Sequence, residues 1–182
     1  MRAMHRRLLL AACALTAALC GCASVAPHYT ISAERLQHAL EQRLPRTYYP
    51  AAGLLELQVQ TPRLTLLPER NQINVKLNLQ ASGALLNPQR YEGALDVNFG
   101  LRYEPSDRTL RATEVRVNTL RLDGLPPQAQ RLLKRYGQTL LEQSLSEMPL
   151  HQWQPQELAA GAGWQPESIT VTAHGLQVQF KK

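Results

Sequence analysis

The sequence predicts an α+β domain: an N-terminal helix and a curved antiparallel sheet of four to six strands, wrapped against one long amphipathic helix. Three patterns predict it. Apolar and polar residues alternate strictly through several successive runs, which gives each strand one dry and one wet face. One of those runs switches parity along its length, which requires extra residues that bend a strand. A later stretch repeats its apolar residues at intervals of three and four, the period of a helix with one buried stripe.

Taken in chain order, residues 1–21 read as a secretory signal. Arg2, Arg6 and Arg7 precede an apolar run from Leu8 to Leu19 that ends in small residues. A run of about a dozen residues is too short for a bilayer-crossing helix, which needs roughly 20. Leu19-Cys20-Gly21-Cys22 resembles the lipobox of bacterial lipoproteins. That resemblance implies cleavage before Cys22 and covalent attachment of diacylglycerol and an N-acyl lipid to it. Ala23 stands where enteric bacteria place the aspartate that retains lipoproteins at the inner membrane. The implied destination is therefore the periplasmic side of the outer membrane, reached through the lipoprotein export and sorting machinery. All three cysteines, Cys13, Cys20 and Cys22, lie in the signal or at its end. No intrachain disulfide, Cys-based metal site or cofactor beyond the lipid is expected, so stability must come from a hydrophobic core. Residues 22–28 form a short tether that keeps the folded domain, residues 29–182, close to the bilayer. Removing residues 1–21 from the 182 leaves 161, enough for one domain with a core.

Residues Ser32 to Leu44 read as a helix with Ser32 as N-cap, Glu34 in the first turn and Pro45 as the stop. Ala33, Leu36, Leu40 and Leu44 form its buried stripe. Alternation then runs through Leu55, Leu57 and Val59; through Ile73, Val75, Leu77 and Leu79; and through Leu95, Val97, Phe99, Leu101 and Tyr103. Turn signals at Pro68-Glu69-Arg70-Asn71, Asn87-Pro88 and Pro105-Ser106-Asp107 separate these runs and imply consecutive antiparallel strands. From Thr109 to Leu122 the apolar pairs are Leu110 and Ala112, Val115 and Val117, then Leu120 and Leu122, which is the parity change. Leu125-Pro126-Pro127 opens the long helix and Pro149 closes it. Its apolar set is Ala129, Leu132, Leu133, Tyr136, Leu140, Leu141, Leu145 and Met148. Two short strands around Gly175 finish the domain.

The residues carry no catalytic or metal-binding signature. The five histidines, His5, His28, His38, His151 and His174, have no metal-ligand spacing; Glu34, His38 and Glu41 share a helix face but read as a solvated surface. No nucleophile elbow, phosphate loop or His-Glu-x-x-His motif occurs, so the chain is not expected to be an enzyme. Without the three signal arginines, 17 basic residues face 14 acidic ones, which makes no case for nucleic-acid binding. Arg102, Arg108, Arg111, Arg116 and Arg121 crowd one predicted hairpin among Glu104, Asp107, Glu114 and Asp123. The mixture reads as a solubilising face, with attraction to anionic headgroups as the alternative.

The element order, together with Tyr29-Thr30-Ile31-Ser32, Leu36, Leu40 and the proline-led second helix, resembles the YceB-like family of small lipoproteins. That resemblance implies a single module related to the tubular lipid-binding (TULIP-like) proteins, in which a long helix lies along a highly curved sheet around an elongated apolar space. On this expectation a lipid, fatty acid or other amphiphile sits between sheet and helix. Leu77, Leu79, Val97, Phe99, Leu101, Val115, Val117, Leu133, Tyr136 and Leu140 would line the space. The alternative is a membrane-anchored module that docks onto an envelope protein complex without a ligand; its mark would be an exposed apolar patch.

Overall fold

The computed structural model describes residues 28–44, 46–49, 54, 56–86, 89–147, 149–153 and 165–181. The expected signal, the expected lipid-attachment residue Cys22 and the tether through Pro27 lie outside the described residues. His28, placed by the sequence in the tether, instead opens a strand, β1 (His28–Ser32). Helix α1 (Ala33–Arg43) follows, its first turn capped by the Ser32 hydroxyl, which accepts from the Arg35 amide at 3.3 Å.

Most of the domain is one six-stranded antiparallel sheet, strongly curled into a half-barrel. Its strands, in spatial order, are β2 (Arg46–Tyr48), β3 (Glu56–Leu67), β4 (Gln72–Ser82), β5 (Tyr91–Glu104), β6 (Thr109–Leu122) and β7 (Pro149–Gln152). Spatial neighbours are sequence neighbours, as expected when short turns join successive strands. The long helix between β6 and β7 is built from α2 (Pro127–Leu132), a π-helical turn (Leu133–Gly137) and α3 (Gln138–Glu147). The register places Val75 beside Val97, and Val97 beside Val117, so the dry sides of β4, β5 and β6 coincide. They form one buried cluster.

The parity change in β6 has its physical cause in two register shifts against β5. Asp96 pairs with Thr119 while Val97 pairs with Val117, which leaves Asn118 as one extra residue. A second shift lies between Asn98 and Gly100, where Glu114 takes a left-handed φ of 51°. Each inserted residue restores the apolar side chains to the inner face.

Residues around Gly175 do not extend this sheet. The hairpin β8 (Gln165–Thr172) and β9 (Gly175–Lys181) pairs with β1 in a separate three-stranded sheet of order β1-β9-β8. Ile169, Val171, Leu176 and Val178 carry its apolar face into the same core. Asn71 joins the two sheets: its Oδ1 accepts from the Val171 amide at 2.7 Å and its Nδ2 donates to the Ile169 carbonyl at 3.4 Å. Asn71 itself has φ 53°, a left-handed conformation that asparagine tolerates better than most residues.

Two bulged strands are each gripped by a helix. In β3 the register shifts between Gln60 and Arg63, around Pro62, which has no amide hydrogen to offer. Gln37 of α1 reaches this point with both ends of its amide. Its Nε2 donates to the Pro62 carbonyl and its Oε1 accepts from the Leu64 amide, each at 2.8 Å. At the β6 bulge, Glu142 accepts from the Val117 amide at 2.8 Å, and Gln138 donates to the Val117 carbonyl at 3.2 Å. Backbone groups displaced from the ladder thus find side-chain partners.

Candidate functional site

The ten residues expected to line an apolar space divide into three groups. Leu79, Val97, Leu101, Val115 and Val117 are buried core residues, none with more than 9% of its surface exposed. A water-sized probe scarcely reaches them, so a ligand at those positions would have to displace packed neighbours. Leu77, Phe99 and Leu133 are half-buried and pack against the core clusters. Tyr136 and Leu140 do not face the sheet: they are 48% and 61% exposed.

The reason lies in the π turn. In an ordinary α-helix, residues spaced by four drift about 40° around the axis at each step. Ala129, Leu133, Gly137, Leu141 and Leu145 would therefore rotate away from the sheet along the helix. A π turn takes in one additional residue and cancels most of that drift. All five consequently remain half-buried in one row, with Leu141 and Leu145 against the main core and Ala129 and Leu133 against a smaller cluster of Ala81, Tyr91 and Leu125. Gly137 sits where the row meets β6, and a Cβ added there would come within 2.9 Å of Leu120 Cδ2 and Leu133 Cδ1.

The same geometry turns a second row outward. Leu132, Tyr136 and Leu140, spaced by four, are all exposed, and Leu132 is 60% so. Beside them stand the exposed cations Arg131, Lys134 and Arg135. Among the described residues none of the three makes an ion pair; Arg135 lies over the Tyr136 ring with its guanidinium carbon 5.3 Å from the centroid. The outward face of this helix segment is therefore both apolar and cationic. Sequence spacing alone assigned Leu132, Leu133, Tyr136, Leu140 and Leu141 to one stripe because no residue pattern marks where a π turn resets the phase.

The arginine-rich hairpin is different in kind. Arg102 pairs with Glu104 at 2.6 Å, Arg111 with Asp107, and Arg121 with Asp123 at 3.8 Å. Hydrogen bonds from Arg102 and Ser106 hold the Glu104 carboxyl below its ordinary range. At Asp107 the Thr109 hydroxyl lowers the carboxyl most; burial opposes this and Arg111 reinforces it. Three of the five arginines are thus locally neutralised, which fits the solubilising reading better than attraction to headgroups.

Among the described residues no group of His, Cys, Asp and Glu side chains is placed to hold a metal ion. No helix among them is long and apolar enough to cross a membrane. No family model and no curated protein matches the chain.

Proposed function

We propose that this protein is a lipid-anchored, periplasm-facing lipoprotein of the outer membrane that binds amphiphiles at a membrane surface through the outward row of its long helix. The observation that carries this reading is the conjunction of Leu132, Tyr136 and Leu140 with Arg131, Lys134 and Arg135 on one exposed helix segment. An apolar stripe flanked by cations is the composition of a helix that lies in the headgroup region of an anionic bilayer. Aliphatic side chains enter the acyl boundary, and each nearby cation contributes about 1 kcal/mol against anionic lipid. The expected anchorage at Cys22 belongs to the same reading, because the five residues from Ala23 to Pro27 could span at most roughly 17 Å and would keep the domain against the bilayer. Within this proposal the chain is a YceB-like lipoprotein built as a single TULIP-like module, a reading with which a strongly curled sheet and one long helix are compatible. The burial of Val97 and Val117 favours the helix surface over the interior as the lipid contact in this reading.

The test uses the unlipidated Cys22→Ser chain and vesicles of phosphatidylethanolamine with and without phosphatidylglycerol. Binding is expected with phosphatidylglycerol at low salt, weakened by added salt, and at least tenfold weaker when Leu132, Tyr136 and Leu140 are all changed to Ser, a loss of about 1.4 kcal/mol. Equal binding by the triple variant overturns the assignment. Lipid that co-purifies equally with wild type and triple variant in native mass spectrometry also overturns it, in favour of the space between sheet and helix. Absence of vesicle binding by a correctly folded chain leaves the protein-docking alternative as the use of this face.

A further inference from the structure

The wet side of the six-stranded sheet carries a feature that the helix surface does not explain. Asn74, Asp96, Asn98 and Asn118 come together there from three adjacent strands. Asn74 Nδ2 donates to Asp96 Oδ1 at 2.5 Å and to Asn98 Oδ1 at 2.7 Å. Asn118 Nδ2 donates to the same two oxygens, each at 2.9 Å. Asn118 reaches them because it is the inserted residue of the β6 bulge. Asn74 and Asn98 are only 8% exposed although they lie on the face opposite the core. They form part of the floor of an open depression of about 440 Å³, walled on one side by Arg63 and Lys76.

The cluster satisfies itself only in part. Asn98 uses its oxygen twice, and its Nδ2 has no partner among the described residues. Asn74 and Asn118 each spend their amide nitrogen, and among the described residues their Oδ1 atoms accept nothing. No described buried polar side-chain atom lacks a partner, so these free atoms have solvent-accessible surface at the depression. The depression therefore offers one amide donor, two amide acceptors, and the Asp96 carboxylate, whose Oδ2 lies 3.6 Å from Lys76 Nζ. Burial pushes the Asp96 carboxyl up, but the hydrogen bonds from Asn118 and Asn74 and the charge of Lys76 outweigh it and keep the group ionised.

This mixture selects a ligand class. A carboxylate or a fully ionised phosphate ester only accepts hydrogen bonds and would set its oxygens against three acceptors. Sugar hydroxyls both donate and accept, and neighbouring hydroxyls match an array of alternating amide donors and acceptors. Charge adds a second selection. Arg63 and Lys76 stand directly opposite each other across the β3–β4 pair, a like-charge arrangement that costs stability. Asp96 neutralises one of the two cations, and an anionic group on the ligand would relieve the other.

We propose that this depression is a binding site for a glycan carrying a carboxylate, with Asn74, Asn98, Asn118 and Asp96 meeting its hydroxyls and Arg63 and Lys76 meeting its acid group. The site lies on a different face from the helix row, so each stands or falls separately.

The probes are trigalacturonate, the neutral trisaccharide maltotriose, and inorganic phosphate, titrated into the full Cys22→Ser chain while the asparagine side-chain amide signals are followed by NMR. Trigalacturonate is expected to shift the Asn98 amide signals and to bind at least tenfold more tightly than maltotriose. Arg63→Gln, at an exposed side chain whose charge Asp96 does not neutralise, is expected to keep the fold and abolish most of that preference. An Asn98 signal unmoved by either sugar at millimolar concentration overturns the proposal. So does phosphate producing the same shifts as trigalacturonate, or a preference that survives Arg63→Gln.

Discussion

The two helices hold the sheet in the same manner and differ in what they show to solvent. Each presses a row of half-buried aliphatic residues on a strand and plugs a bulge in that strand with side-chain amides or carboxylates: Gln37 at β3, Gln138 and Glu142 at β6. Outward, however, α1 presents Glu34, Arg35, His38, Glu41 and Gln42, whereas the long helix presents Leu132, Tyr136 and Leu140. Since α1 does its structural work with a wet outer face, an apolar outer face is not something the fold demands of a helix in this setting. That contrast is why the outward row is assigned to binding.

The strongest way to test the common half of the comparison is Gln37→Ala, which leaves the Pro62 carbonyl and the Leu64 amide without their partner. About 1–3 kcal/mol per unpaired group is expected, read from urea denaturation. A loss below 0.5 kcal/mol would mean that water replaces the glutamine and the bulge plug is incidental. Glu142→Ala should cost less, about 1–2 kcal/mol, because it orphans only the Val117 amide, while Glu142→Gln keeps an accepting oxygen and should recover most of the loss. The distinguishing half predicts the smallest effect. Leu132→Ser, Tyr136→Ser and Leu140→Ser should each change unfolding free energy by no more than about 0.5 kcal/mol, as exposed substitutions do. A cost of 2 kcal/mol or more at any of them would show that the row is structural and break the contrast with α1.

What could be read from the residues follows from the length scale on which burial leaves a pattern. The long strands β4 and β5 were legible because burial on one face alternates with every residue, and the bends of β6 because Val115 and Leu120 fall out of step with the pairs before them. Strands β2 and β7, of three and four residues, are too short to show a period. The second sheet was hidden for another reason. Its strand β1 acquires meaning only from β9, a partner far away in sequence, and Tyr29-Thr30-Ile31-Ser32 by itself is a short string ahead of a helix. The outward row of the long helix was assigned inward because both rows satisfy helical spacing and only the π turn separates them. The asparagine cluster left no signal of its own: Asn74, Asp96 and Asn98 look like ordinary wet-face residues until the register sets Asn74 opposite Asn98.

The pairing of β1 with β9 also sets the order in which the molecule can be completed. Residues 28–32 have no ladder partner until residues 175–181 are present, and closing a contact of such separation is slow compared with forming the consecutive hairpins β3–β4–β5–β6. During synthesis, the stretch nearest the expected membrane attachment therefore stays unzipped after the middle strands can already associate. Its docking waits on the C-terminal hairpin of β8 and β9.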